Sequence, residues 1–91
     1  MIPKRSDVRV VDSRAPEYQR LYATLKQLRV ERNLTQTQLG ERIGLTQRKV
    51  SLFESGDRRI DVIELIRYAR GLDLDLTDVL DRAEIDHTRP A

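Results

Sequence analysis

The stretch TQTQLGERIGLTQRKVSLFESG, Thr35 to Gly56, reads as two short helices joined by a tight turn. Thr35 and Gln38 have the spacing of a capping box, in which the threonine oxygen accepts a backbone N–H while the glutamine reaches back to the chain before it. Leu39 and Ile43, four residues apart, share the inward side of a helix over Gln36 to Ile43. Between them Gly40, with no side chain, leaves room for another backbone to come close. Gly44 ends this helix, Thr46 is a good N-cap for the next, and Gly56 stands at a left-handed C-cap position.

The flanking sequence supplies a scaffold for this pair. Upstream, Pro16 suits the first turn of a helix running to about Arg32, and Tyr18, Leu21, Tyr22, Leu25 and Leu28 recur at three- and four-residue intervals as one apolar stripe. Downstream, Asp61 and Glu64 form a second capping box before Val62, Leu65, Ile66, Ala69 and Leu72, the apolar side of a helix stopped around Gly71. Thr77 caps a last short helix holding Val79 and Leu80. Nothing alternates over a length that would make a strand, so the fold class is all-α with five helices. Two short helices across a glycine-containing turn are the sequence form of a helix-turn-helix, whose second helix can enter a DNA major groove.

Length and composition agree. Ninety-one residues hold one small domain, and with 4% aromatic residues its core must be built from Leu, Ile and Val. No cysteine is present, which removes disulfides and thiolate chemistry and fits a reducing cytosol. No apolar run reaches the roughly 18 residues of a membrane span, and MIPKRSDVRV has no secretory core, so a soluble cytoplasmic protein is expected. The net charge of +2 conceals an asymmetry. Residues 1–59 carry 13 Lys/Arg against 7 Asp/Glu, and residues 60–91 carry 4 against 8. A basic part of this kind attracts polyanions. The expected organisation is a basic arm over residues 1–14, a helical domain over 15–81 and an acidic tail over 82–91.

The third helix carries the readable chemistry. At about 100° per residue, Val50 and Phe53 face the core, while Gln47, Arg48, Ser51, Leu52 and Ser55 face away from it. Gln pairs with adenine and Arg with guanine, Ser can donate or accept, and a leucine methyl can pack on the thymine C5-methyl group. Gln47, Arg48, Ser51 and Leu52 are therefore the candidate base-reading set. Phosphate contacts need cations and N–H donors around the groove. Gln36 at a helix start, Lys49 on the flank of the third helix, Ser55 at its end, and Arg58 and Arg59 just beyond it fit that role.

Over residues 34–56, and in Arg58-Arg59-Ile60-Asp61-Val62-Ile63-Glu64-Leu65 and the segment Leu72 to Leu80, the sequence resembles the phage-repressor (Cro/lambda-repressor-type) helix-turn-helix family. The resemblance covers about residues 18–81. It implies a five-helix lambda-repressor-like fold that binds double-stranded operator DNA as a homodimer to regulate transcription, as a repressor in the commonest case. It also implies a phosphate contact for Gln36 and an ion pair between Arg29 and Glu54 joining the first and third helices. Two positions depart from the family pattern: Gly40 stands where alanine is usual, and Leu52 where a polar reader is common.

Other classes fit less well. With a lone histidine, His87, no P-loop, no dinucleotide fingerprint and no paired nucleophile and base, no enzyme is expected, and no cofactor. The acidic run Asp73 to Glu84 approaches a calcium loop, but Asp78 stands where such a loop needs glycine, so no metal is expected. The competing role on the same fold is an antitoxin or partner-docking adaptor, with a toxin or adaptor protein as its partner.

Overall fold

A computed structural model describes residues 15–88; the expected basic arm of residues 1–14, and residues 89–91, lie outside the described residues. Five helices follow one another: α1 (Pro16–Glu31), α2 (Gln36–Ile43), α3 (Gln47–Ser55), α4 (Val62–Gly71) and α5 (Leu76–Arg82). No strand occurs among the described residues. The all-α expectation and the helix-turn-helix over α2 and α3 are both present.

The caps explain where the elements start. Thr35 Oγ1 accepts from the Gln38 N–H at 3.0 Å while Gln38 Oε1 accepts from the Thr35 N–H at 2.9 Å, completing the box at the head of α2. Thr46 Oγ1 accepts from the Lys49 N–H at 3.1 Å at the head of α3. Asp61 and Glu64 exchange the same pair of bonds, at 2.7 and 3.1 Å, before α4. Each cap satisfies a donor that a helix start leaves without an intrahelical partner. At α5 the structure corrects the sequence reading. The N-cap is Asp75, not Thr77, and the Asp78 carboxylate accepts the Asp75 N–H at 3.0 Å. The Asp75 carbonyl accepts from the Asp78 N–H at 3.1 Å and the Val79 N–H at 3.4 Å, so the helix begins before the threonine does.

The stripe of α1 forms the floor of the core. Leu21, Tyr22, Leu25 and Leu28 are buried and meet Leu39 of α2, Val50 and Phe53 of α3, Leu65, Tyr68 and Ala69 of α4, and Val79 of α5. Such burial is worth about 1.5–3 kcal/mol per large apolar side chain. Val62, expected on the inner side of α4, is instead 59% exposed, and Tyr68 is fully buried in the same helix. The inward series is Leu65, Tyr68, Ala69 and Leu72, at the spacing of one helical face, and Val62 stands in the first turn ahead of it. Packing also continues past the expected domain limit at residue 81, because Ala83 is buried and Ile85 rests on the core. His87, within the expected acidic tail, is exposed and places Nε2 2.7 Å from the Asp81 carboxylate.

Arginines close several helix ends. Arg20 Nε donates to the Ala83 carbonyl at 3.0 Å beyond α5, Arg32 Nε to the Leu72 carbonyl at 2.6 Å, and Arg42 to the Gly71 carbonyl at 2.9 Å at the end of α4. These last carbonyls have no intrahelical donor, and a cation there also suits the helix dipole.

The turn between α2 and α3 depends on close approach. A Cβ on Gly40 would lie 2.4 Å from the Leu45 carbonyl oxygen, so the missing side chain lets the turn fold back onto α2, as the sequence suggests. At the far end of α3, Gly56 has φ of 83° and lies flat against Tyr22, whose Cδ2 would be 3.0 Å from an added Cβ. Gly44, also left-handed at φ 76°, has open space around it. Gly44→Ala should therefore cost only the left-handed backbone strain, about 1 kcal/mol, whereas Gly56→Ala should cost distinctly more because strain and crowding of Tyr22 add. Urea midpoints of the two variants measure the difference, and equal losses would show that Tyr22 does not set the position of the α3 end.

Candidate nucleic-acid interface

The third helix is fixed to the domain by one buried carboxylate. Glu54, near the end of α3, receives Arg29 Nε at 2.7 Å on one oxygen and the second guanidinium nitrogen of Arg29 at 3.0 Å on the other. The Tyr68 hydroxyl of α4 donates to Oε2, and Gln36 Nε2 of α2 donates to Oε1 at 3.1 Å. Four helices thus converge on one side chain that is 2% exposed. Arg29 also donates to the Leu34 carbonyl at 2.7 Å, which holds the segment entering α2. The ion pair that the family resemblance implies is therefore present, in a forked geometry that suits arginine and carboxylate.

Burial alone would raise the Glu54 pKa. The hydrogen bonds from Arg29, Tyr68 and Gln36 and the charge of Arg29 outweigh it, and the carboxyl is held below its ordinary value. Tyr68 moves the other way: burial, then donation to Glu54 and the nearby negative charge, push its hydroxyl well above the ordinary tyrosine range. Tyr68 is absent from the sequence reading of α4, which takes Val62, Leu65, Ile66, Ala69 and Leu72 as its inner face. Its place three residues after Leu65 was the available signal.

The network continues outward to the solvent face. Gln36, half-buried, passes its amide hydrogen to Glu54 and with its own Oε1 accepts from Gln47 Nε2 at 2.6 Å. The first residue of α3 is thereby tied through Gln36 to the buried carboxylate. Arg48 is exposed, and Ser51 and Leu52 are half-buried.

Two open clefts flank the outward ridge of α3. One is lined by Thr46, Arg48, Lys49, Leu52 and Arg58. The other is lined by Lys26, Gln36, Ser51, Glu54 and Ser55. The structure thus gathers eight of the nine sequence-derived candidates around one helix, with Gln47 joined through Gln36. Arg59 lines neither cleft and lies within electrostatic reach of Tyr22.

Several candidates have local partners. Lys49 Nζ is 3.5 Å from Glu64 Oε2, an acid supplied by the α4 capping box. Ser55 Oγ lies 3.1 Å from both the Leu52 carbonyl and the Asp57 carboxylate, within reach of donating to either. The Arg58 guanidinium stands over the Phe53 ring, 6.0 Å from its centroid, and its backbone N–H donates to the Leu52 carbonyl at 3.2 Å. Lys26 of α1 is an addition that the sequence did not single out. It is exposed and shares the cleft of Gln36 and Ser51, a position visible only once α1 is packed beside α3.

Comparison with known proteins gives the class. The helix-turn-helix family HTH_3 matches residues 25–79, and the chain belongs to that family. The family and fold are those of DNA-binding transcriptional regulators, which are generally not enzymes. Among solved structures, the clp gene regulator ClgR from Corynebacterium glutamicum is similar in two crystal structures. One is 22% identical at a TM-score of 0.71, over 80% of this chain and 77% of that one; the other is 24% identical at 0.69, over 72% and 86%. At these identities the likeness is one of fold. A search of curated proteins gives no match. No helix among the described residues is long and apolar enough to cross a membrane.

The Glu54 network sets the pH limits of the domain. A carboxyl whose folded pKa lies below its unfolded value stabilises the fold above that unfolded value, and the contribution disappears as pH falls through the folded pKa. A tyrosine whose folded pKa is raised stabilises the fold below about pH 10, and that part is lost as pH rises beyond the unfolded value. Stability measured by urea should therefore fall on both sides, below about pH 4 and above about pH 10. Tyr68→Phe should flatten the alkaline limb and Glu54→Gln the acid limb. A wild-type acid limb unchanged in Glu54→Gln would remove Glu54 as its cause.

Proposed function

We propose that the chain is a sequence-specific regulator of transcription that places α3 in the major groove of double-stranded DNA, acting as a homodimer and, by the commonest use of this fold, as a repressor. The observation that carries the reading is the Gln47–Gln36–Glu54 chain. An exposed amide at the head of α3 is orientated from the buried core, which is what a side chain needs in order to present a defined donor and acceptor to a base edge.

In this reading Gln47 and Arg48 read bases by paired hydrogen bonds, Ser51 donates or accepts beside them, and Leu52 packs its exposed part on a thymine methyl group. Gln36, Ser55, Arg58, Arg59 and Lys26 contact the sugar-phosphate strands on either side. Lys49 joins them by exchanging Glu64 for a phosphate, and at 3.5 Å that half-exposed ion pair is weak enough to give up. A homodimer follows from the two-fold symmetry of the sites such domains read, which places two copies of α3 about one helical turn apart.

Binding to DNA fragments selected from the host genome tests the assignment. Arg48→Ala should cost about 1–3 kcal/mol on the selected site and relax preference at one base pair. Arg58→Ala and Lys26→Ala should weaken selected and random duplex alike, each reducing the salt slope by about 0.9 for every phosphate released. If all three variants lost affinity equally on both kinds of DNA, the division into base-reading and phosphate-contacting residues would be wrong. An absence of binding to any duplex at low salt would remove the function itself.

A further inference from the structure

A third cleft shares no residue with the two that flank α3. It opens between the ends of α2 and α4, encloses about 560 Å³, and is lined by Arg42, Ile43, Arg67, Arg70, Gly71 and Asp73. Three guanidinium groups and one carboxylate therefore surround a single concavity. Arg42 is anchored, because one of its nitrogens donates to the Gly71 carbonyl at 2.9 Å. Arg67 and Arg70 stand three residues apart on α4, spacing that puts them on one face, and both are exposed. Among the described residues neither has an ion-pair partner.

Like charges at this spacing destabilise a helix, and here a third cation is added from α2. Arg20, Arg29, Arg32 and Arg42 all donate to carbonyls or carboxylates of the fold, so the domain uses these four arginines structurally. Arg67 and Arg70 serve no such purpose. The planar fork of arginine matches the oxygens of a phosphate with two parallel hydrogen bonds. Three arginines against one aspartate leave an excess of two positive charges, suited to a group carrying at least two negative ones. The volume lies within the usual range of small-molecule sites, about 300–1,000 Å³.

We propose that this cleft is a phosphate-binding site, separate from the α3 surface, for a group bearing two or more negative charges, such as the diphosphate of a nucleotide-sized molecule. Arg67 and Arg70 grip the oxygens, Arg42 supplies the anchored third donor set, and Asp73 limits affinity from the rim. A phosphate of this kind reaches the cleft either on a free small molecule or on a DNA backbone that wraps past the α3 surface.

Inorganic pyrophosphate, titrated into the full chain at constant ionic strength in chloride, is the probe. Saturable binding should be weakened about tenfold or more in the Arg67→Gln/Arg70→Gln double variant, whose exposed positions leave the core untouched. Asp73→Asn should bind more tightly than wild type. Its backbone φ of 61° suits asparagine, so a gain in affinity there cannot come from misfolding. A parallel titration with random duplex identifies the source. Duplex affinity equal in wild type and double variant assigns the site to a free phosphorylated molecule. A loss in the double variant, with pyrophosphate competing against duplex, assigns it to the DNA backbone. Pyrophosphate and duplex binding that are both indifferent to the double substitution and to Asp73→Asn would overturn the proposal.

Discussion

One buried carboxylate organises this domain. Placing Glu54 out of water is costly unless every lone pair direction is met, and the structure meets them with a forked arginine from α1, a hydroxyl from α4 and an amide from α2. Removing Arg29, the one cation of the set, would leave the charge buried without compensation, a loss of about 3–5 kcal/mol in comparable sites. Apolar contacts among Leu25, Leu39, Val50 and Phe53 would hold α1, α2 and α3 together in many relative rotations. The hydrogen bonds to Glu54 are directional, so they select the one rotation of α3 in which Gln47, Arg48, Ser51 and Leu52 turn outward.

That arrangement links the buried network to the exposed face of α3. Gln36 makes the link, since its amide has one end in the core and the other on the surface. Bound to Glu54 through its nitrogen, it presents oxygen to Gln47, and this leaves the Gln47 oxygen and its second amide hydrogen open to solvent. The orientation of both amides thus follows from a carboxylate inside the domain.

How far the sequence alone could lead follows from the kind of signal each feature leaves. The helices over 36–43 and 47–55 were legible to the residue because Thr35, Gly44, Thr46 and Gly56 mark their ends by side-chain and backbone chemistry that acts locally. The start of α5 was misread at Thr77 since Asp75 and Asp78 offer an equally local cap two residues earlier. The outward face of α3 was legible from periodicity. The roles of Tyr68 and Lys26 were not, because they depend on which residues of distant helices meet, and no local pattern encodes that. Charge was legible in amount but not in use: Arg20, Arg32 and Arg42 counted toward a basic surface, yet they close the ends of α4 and α5. The basic character available to a ligand is accordingly smaller and more concentrated than the composition suggests.

The central claim is that core-anchored Gln36 orientates Gln47 for reading. A double-mutant cycle on the selected DNA site, using Gln36→Ala, Gln47→Ala and the double variant, measures it most directly. The account predicts a coupling of about 1 kcal/mol or more, with most of the base preference of Gln47 lost once Gln36 is gone. Additive losses, with Gln47 discriminating bases equally well in the Gln36→Ala background, would contradict it.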